Sequence, residues 1–402
     1  MVCTLKHLSL CPEMEALYLF NPENDMALAC GDPYYMAPAS ARRMAAELSV
    51  LPAWYAEQGG TVWLDSALRM KTMERQSFLP LSVNWTSEFL PIYNKVIPWG
   101  WNPSLVRRLQ EAGFPDTAYP SVERMKRIRQ ISGRQTAVKV LRRLCRHIGG
   151  NIPTLGEAFV LSSTEEVKAF VLSHPRALLK APWSGSGRGI QYVSGSFTIP
   201  LEGWVRHILT TQHEVIGEPF YDKLLDFAME FCAGRQGVEF IGWSVFSTGL
   251  NGEYRGNYLG AQAYIEQLLG SKLGEEKLQS LKQELPDMIA GILPDYRGYL
   301  GIDMMIYSDS AGKYRVQPCL EINLRYNMGI VALMLSRRYL DEHAEGEFTV
   351  RYYAKAGEAW QEHRHLQQLY PAVYKNNRIK SGYLNLTPVN EATHFVASLI
   401  CY

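Results

Sequence analysis

The chain has 402 residues, enough for two or three domains, and 47% of them are hydrophobic, as in a soluble globular protein. Its 41 Lys and Arg against 40 Asp and Glu leave no global field to attract nucleic acid or an anionic membrane, so any anion must be recognised by a local cluster. Cys3, Cys11, Cys30, Cys145, Cys232, Cys319 and Cys401 are scattered without a Cys-x-x-Cys spacing, which suggests neither a zinc site nor a disulfide framework and fits a reducing cytoplasm.

No apolar run approaches the length that crosses a bilayer. Leu8-Ser9-Leu10-Cys11 loosely resembles a lipoprotein cleavage site, but Leu10 is too large before the cysteine, and the first dozen residues are read as an untidy leader. Ala16 to Phe20 is a short buried strand leading into a polar turn, Asn21-Pro22-Glu23-Asn24-Asp25. Ala39 to Trp54 has helical periodicity, and Gly60 to Leu64 reads as a second strand. Strand–helix–strand order argues a parallel α/β unit, and the Asn21–Asp25 loop lies at the end of its strand where open α/β sheets bind ligands. The same loop is equally compatible with a simple turn held by side-chain caps.

Proline density over residues 85–120, with a short helix near Ser104–Ala112, marks the edge of this first domain; Trp99 and Trp101 are read as packing. Ser121 to Ile148 is a basic helical region that breaks at Ser132-Gly133, the second helix running from about Arg134. Basic residues all round a helix indicate a solvated surface. Ile152 to Thr154 and Phe159-Val160 suggest a strand, and Thr164 starts a helix to Leu172.

Ala177-Leu178-Leu179-Lys180 reads as a buried strand with a lysine at its end, followed by Ala-Pro-Trp-Ser-Gly-Ser-Gly-Arg-Gly. Gly185, Gly187 and Gly189, with Ser184 and Ser186, let the backbone approach a ligand and turn several N–H groups toward one anion, beside the Lys180 charge. No helix follows the glycines and no Gly-Lys-Ser/Thr closes them, so neither the dinucleotide fingerprint nor the Walker loop applies. The next segment, Ile190 to Ser194, alternates like a strand, and the loop is the tip of a β-hairpin: a flap over phosphates, or an ordinary hairpin with a mobile tip.

Gly203–Thr211 is read as a helix, His213 to Phe220 as extended, Asp226–Cys232 and Val238–Ser247 as strands, and Ile265 to Ile292 as helical, with Gly298 closing the following loop. Residues 299–327 hold two β-like runs around the turn Ser308 to Gly312, which places Asp303 roughly opposite Glu321 with a bulge at Pro318. Glu321, Asn323 and Arg325 alternate and so share one face with Asp303. Carboxylates plus an amide on one face suit Mg²⁺, a hard cation often shared with nucleotide phosphates; the alternative is an exposed face with a Glu–Arg pair. Glu362 to His365 is read as a helix surface without metal spacing.

In motif order the chain resembles the ATP-grasp superfamily from about Ser121 to near its C-terminus. The resemblance implies an N-terminal small α/β domain, residues 1–120, before a two-subdomain ATP-grasp fold over residues 121–402, with subdomains of about 121–217 and 218–402. It implies ATP and Mg²⁺ (Mn²⁺ as an alternative) as cofactors. Arg134, Lys180 and the flap Ser184 to Gly189 match the family's phosphate-binding positions, Glu218 and Phe220 its adenine-reading linker, and Asp226 its ribose carboxylate. Asp303, Glu321 and Asn323 match its metal ligands, and Arg325 completes Glu-x-Asn-x-Arg. Tyr326-Asn327-Met328-Gly329 matches no subfamily signature, and Ala-Pro follows the strand lysine in place of the frequent Pro.

The activity implied is ligation: a carboxylate attacks the γ-phosphate, and an amine displaces phosphate from the acylphosphate. Lys180 and Arg325 are the leading catalytic candidates, with Arg255 and Arg297 further candidates for anionic substrate groups or for structural roles. Small-molecule or peptide carboxylates and amines are the expected partners, with no nucleic acid and no membrane, and an oligomer is compatible with the chain. A small-molecule kinase on the same fold, or a nucleotide-binding regulator without chemistry, are the competing readings.

Overall fold

A computed structural model describes residues 16–65, 81–148, 156–184, 189–249 and 252–402. The strand expected over Ile152–Thr154, the leader, and Gly185, Ser186 and Gly187 of the flap lie outside the described residues.

The first sheet is parallel, in the order β3-β2-β1-β4, formed by β1 (Ala16–Leu19), β2 (Thr61–Trp63), β3 (Asn84–Thr86) and β4 (Lys95–Pro98). β1 is the continuous apolar run Ala-Leu-Tyr-Leu, buried throughout, as a central parallel strand requires. β3 and β4 were not anticipated in the proline-dense stretch; β4 is an edge strand, where a terminal proline removes no ladder bond. The polar turn expected after β1 is instead a short helix, Asn24–Cys30, ended by Gly31 at φ 72°. One helix expected over Ala39–Trp54 is a helix, Ala39–Glu47, followed by a 3₁₀ turn, Leu51–Trp54, because Pro52 cannot continue an α-helical ladder. Helices Val122–Ile131 and Arg134–Ile148 break at Ser132-Gly133 as anticipated.

The second sheet is antiparallel, in the order β5-β8-β6-β7, from β5 (Phe159–Leu161), β6 (Arg176–Lys180), β7 (Ile190–Ser194) and β8 (Val215–Pro219). Helices Thr164–Ser173 and Ile199–Gln212 bury Val167, Phe170, Val205 and Ile208 with Leu179 and Val193 of its strands.

The third sheet has nine antiparallel strands in the order β13-β12-β9-β10-β11-β14-β17-β16-β15. They are β9 (Asp222–Gly234), β10 (Gly237–Thr248), β11 (Tyr254–Leu259), β12 (Gly298–Ser308), β13 (Tyr314–Asn323), β14 (Gly346–Tyr352), β15 (Val373–Lys375), β16 (Arg378–Asn385) and β17 (Phe395–Cys401). Gly298 opens β12 rather than closing a loop, and Gly274, at φ 91°, divides the expected long helix into Gln262–Leu273 and Glu275–Ile292. Phe227, Met229, Phe231, Ile302 and Met304 join Leu278, Leu281 and Leu285 of those helices in one core. Strand alternation then sends Asp226, Glu230 and Asp303 to the other face.

That other face meets the first sheet. Tyr18, Trp54, Tyr55 and Trp99 share a core with Tyr326, Ile330, Phe348 and Leu399. Tyr55 stacks on Tyr326 at 4.3 Å, and Trp54 Nε1 donates to Leu386 O at 2.7 Å. The backbone continues the contact, since Tyr326 N donates to Trp99 O at 2.8 Å and Arg325 bridges Gly100. The end of β4 is thereby fastened to the end of β13. Glu362–His365 departs from expectation: in helix Glu358–Leu369, His363 is buried, and its Nδ1 lies 3.0 Å from the Tyr383 hydroxyl. Among the described residues, no helix is long and apolar enough to cross a membrane.

Candidate active site

The hairpin predicted around Lys180 is present. Lys180 ends β6 opposite Ile190 of β7, and Ala181 N donates to Gly189 O at 2.8 Å to close the loop's root. Gly189 sits at φ 79°, where an added Cβ would come within 2.9 Å of the Ser184 Cβ, so both conformation and space call for glycine. Lys180 Nζ reaches the Glu218 carboxylate on β8 at 2.6 Å, and both groups are buried. Removing one partner would leave an unmatched buried charge, a loss of about 3–5 kcal/mol.

Arg134, at the start of its helix and 5% exposed, ties this hairpin to the large sheet. Its Nη1 donates to Ala181 O and Ser184 Oγ at 2.7 Å each, and its Nη2 to Glu321 Oε2 at 2.8 Å. Trp183, just ahead of the flap, is fixed similarly: its Nε1 donates to Arg129 O at 2.9 Å, and the Arg129 guanidinium stacks on its ring at 4.5 Å. Arg129 Nε and Nη2 also donate to Leu28 O and Ala29 O, the last carbonyls of helix Asn24–Cys30, where a cation is favourable. Within a region read as solvated surface, Arg129 is thus half-buried and committed.

On the large sheet Asp303 pairs in register with Glu321, and Gly301 with Asn323; the register shifts between Asp303 and Met305, on the stretch of β13 that contains Pro318. Asn323 Nδ2 donates to Asp303 Oδ2 at 3.1 Å. Burial, then the Glu321 and Glu230 carboxylates, push the Asp303 pKa up to about 8. Asp303 and Glu321, side by side on one face with the Asn323 amide next to them and only Glu321 paired with a cation, are a carboxylate set that fits a divalent cation. Among the described residues no group of three or more His, Cys, Asp or Glu side chains is placed to hold a metal ion, so Asp303, Glu321 and Asn323 would hold Mg²⁺ only together with oxygens from outside the chain.

Arg325 does not pair with Glu321. Its Nε and Nη2 donate to Asp25 Oδ1 and Oδ2 at 2.8 Å each. Burial alone would lower the guanidinium pKa, and Asp25, with Glu321 and Asp303, more than reverses this. Asp25 is delivered by a buried amide network: Asn21 exchanges hydrogen bonds with Gly100 N and O, and the Asn24 amide nitrogen donates to Gly100 O at 3.0 Å and Trp101 O at 3.1 Å.

Asp226 lies on the same face, but its Oδ2 already accepts from Lys223 Nζ at 2.6 Å and Thr248 Oγ1 at 2.7 Å. Phe220 is half-buried beneath the Arg176 guanidinium, 4.7 Å from its ring centre. Arg134 joins Ser184 to Glu321, which neighbours Asp303 and Asn323; Lys180, Glu218 and Gly189 belong to the same hairpin sheet as Ser184, and Arg325 lines one cleft with Ser184, Glu321 and Asn323. Arg255 and Arg297 lie apart from these residues. Arg297 is exposed and donates to Pro294 O and Tyr296 O, closing its own turn. Arg255 is exposed, 3.5 Å from Glu253, in a separate groove of about 470 Å³ with Glu347, Arg351 and Glu362.

Glu230 was not anticipated, although Asp226, Ala228 and Glu230 alternate with large apolar residues and carry the signal. It is 1% exposed; its Oε1 accepts from Ser244 Oγ and its Oε2 from Asn327 Nδ2, both at 2.8 Å. Gly301 and Gly329 leave the room it fills, since a Cβ would stand 2.5 Å from Oε2 at the first and 2.1 Å from Oε1 at the second. Asn327 also caps helix Met328–Arg338, accepting from Ile330 N at 2.8 Å, which gives the unplaced Tyr-Asn-Met-Gly stretch a structural reason.

No protein-family model matches the sequence, and comparison with curated proteins finds no match. Solved structures do resemble it. An N5-carboxyaminoimidazole ribonucleotide synthetase in an ADP complex is similar over 98% of this chain and 93% of its own, with a TM-score of 0.51 at 10% identity. A biotin carboxylase of Campylobacter jejuni in a β-γ-ATP complex covers 97% and 88%, at 0.52 and 12% identity. The biotin carboxylase domain of the Hydrogenobacter thermophilus 2-oxoglutarate carboxylase, with MgADP, ADP and bicarbonate, covers 97% and 86%, at 0.50 and 12%. Parallel first sheet, lysine hairpin and carboxylate-bearing nine-stranded sheet together make this chain a protein of the ATP-grasp fold.

Proposed function

We propose that the protein is an ATP- and Mg²⁺-dependent ligase that joins a carboxylate to an amine through an acylphosphate. The observation that carries this reading is the contact chain Lys180–Glu218, Arg134–Ser184 and Arg134–Glu321, which sets a phosphate-type hairpin against the Asp303, Glu321 and Asn323 oxygens with Arg325 beside them. The nucleotides held by the similar structures agree with it.

Asp303, Glu321 and Asn323 would hold Mg²⁺, or Mn²⁺, which would supply positive charge against the phosphates. The chain's residues do the rest. Glu321 and Ser184 hold the Arg134 guanidinium between the hairpin and the carboxylate face, where it supplies positive charge to a phosphate group bound there. Lys180 and the flap amides neutralise the transferring phosphoryl group, and Arg325 orients the anionic nucleophile. The substrate carboxylate oxygen attacks the γ-phosphorus, and the bond to ADP breaks. The amine then attacks the acyl carbon, phosphate leaves with the bonding pair, and the ammonium proton passes to solvent. The cysteine pattern supports the cytoplasm as the compartment.

The test is phosphate release from MgATP against panels of carboxylates and amines. Release that requires one member of each class supports the ligase, and Lys180→Ala abolishes it. A phosphorylated product accumulating without an amine replaces the ligase with a kinase, and undiminished turnover in Lys180→Ala removes the hairpin from the site.

A further inference from the structure

Helices cover the outer face of the nine-stranded sheet toward both of its ends and leave the middle open. The register Asp226–Phe246–Asn257–Phe348–Leu399 runs across β9, β10, β11, β14 and β17 on the face that carries Asp303. Glu347, Thr349 and Arg351 alternate with Phe348 on β14 and so face the opposite way. On that outer face helix Glu275–Ile292 packs over β9 and β12, while helix Glu358–Leu369 sets Ala359 against Val396 and His363 against Tyr383. Between these helices runs the groove of about 470 Å³, lined by Ser247, Arg255, Glu347, Thr349, Arg351 and Glu362. Its volume is that of a site for a small organic ligand. Its floor is polar and buried: Thr349 and Ser398 are 6% and 7% exposed, with their hydroxyl oxygens 3.4 Å apart.

One end of the groove carries a carboxylate without a partner. Glu347 is half-buried, and among the described residues it makes no hydrogen bond or ion pair. It fits there because Gly256 on β11 has no side chain: a Cβ would stand 2.7 Å from Glu347 Oε1. A carboxylate partly withdrawn from water is stabilised by a donor, and the chain supplies none. The other end carries two loosely committed guanidiniums. Arg255 lies where the register of β10 against β11 shifts at Ser247 and Thr248, a bulge that re-aims its side chain. Its Nη2 is 3.5 Å from Glu253, and Arg351 Nη1 is 3.9 Å from Glu362, too far for a hydrogen bond. Glu347 and Arg351 are four residues apart on one face of a strand, about 13 Å between their backbones.

We propose that this groove binds a short peptide with free ends, two or three residues long, its ammonium on Glu347 and its terminal carboxylate between Arg255 and Arg351. The charges set the class of ligand, since one end of the groove lacks a cation and the other holds cations without close anions. Their separation sets its length. The ammonium and carboxylate of a single α-amino acid are too close together to reach both ends. An extended chain adds about 3.3 Å per residue, so two or three residues span what the Glu347 and Arg351 side chains leave between them. The groove shares no residue with Lys180, Asp303 and Arg325 and lies on the opposite face of the sheet, so the inference stands apart from the ligase reading.

The test is calorimetric titration of the full-length chain, without nucleotide or Mg²⁺, with trialanine, its N-acetyl form, its C-terminal amide and free alanine. Trialanine should bind saturably, and blocking either end should weaken it about 10-fold, the loss expected for one hydrogen bond to a charged group. Free alanine should bind more weakly than trialanine by at least the same factor. Glu347→Gln should weaken trialanine and leave the N-acetyl form unchanged. Arg255→Gln combined with Arg351→Gln should weaken trialanine and leave the amide unchanged. No saturable binding, equal affinities for free and blocked peptides, or equal affinities for alanine and trialanine overturn the proposal. So do variants that bind every form as the unaltered chain does. The blocked peptides probe the unaltered chain, which keeps the test decisive should a variant fail to fold.

Discussion

Glu230 is a carboxylate enclosed by neutral partners, and replacing it with glutamine should stabilise the metal-free protein at alkaline pH while leaving it unchanged at acid pH. The carboxyl is 1% exposed and receives two hydrogen bonds, from Ser244 and Asn327. Burial pushes its pKa from 4.5 to about 7, against the opposing pull of those two bonds. The folded state therefore holds the proton more tightly than the unfolded state. Below the unfolded pKa both states are protonated and nothing is lost; as pH rises through the window from 4.5 to about 7, ionisation costs the folded state stability, and the cost is complete above it. The shift corresponds to about 3 kcal/mol. Glutamine keeps the geometry: its oxygen can accept from Asn327 Nδ2, and its amide can donate to a rotated Ser244 hydroxyl. With an unfolding entropy of about 2.1 cal/mol/K per residue, the gain at pH 9 is about 4 °C in Tm. Thermal melts of both proteins in EDTA at pH 4.5 and pH 9 measure it. A Tm difference that is the same at both pH values, or a Glu230→Gln protein less stable at pH 9, would refute the reasoning.

Three further outcomes follow from the same contacts. Lys180→Met should cost about 3–5 kcal/mol in urea unfolding by stranding Glu218, and Glu218→Gln on top should recover much of that loss; additive losses would contradict a dominant buried pair. Gly329→Ala places a methyl 2.1 Å from Glu230 Oε1 and 2.4 Å from Ser244 Oγ, so it should destabilise by about 1–3 kcal/mol, and Glu230→Ala should relieve the crowding; a neutral Gly329→Ala in chemical denaturation would show the cavity to be looser than drawn. Asp303→Asn should keep the thermal stabilisation given by ADP alone and lose the increment added by Mg²⁺, and an intact increment would move the metal elsewhere.

The hairpins were legible because alternation and turn residues act locally. The Ser132-Gly133 break, the Lys180 hairpin, the pairing of Asp303 with Glu321 and the shift beside Pro318 all depend on residues close in the chain. Helix Asn24–Cys30 was not legible, since Asn-Pro-Glu-Asn-Asp is turn-forming and no side-chain cap announces the helix. The partners of the cations were not legible either. Arg134 finds Glu321 at a separation of 187 residues, and Arg325 finds Asp25 at 300. Those choices are made by which sheet faces which, and that depends on the aromatic core between Tyr55, Trp99 and Tyr326 rather than on any local pattern. Glu230 is the intermediate case: its alternation with Asp226 was readable, but its burial is created by two glycines, one more than 70 and the other nearly 100 residues away.

Lys180, Arg134, Arg325 and Lys223 each rest against a carboxylate within 2.8 Å. Seen from solution, these four charges cancel at distances beyond a few ångströms, so they contribute little long-range pull on polyanions. On the proposed function, nucleotide capture would have an association rate almost indifferent to ionic strength. Residence time is where selectivity accrues, because only a ligand that replaces the departing carboxylates one for one holds the cations apart from them.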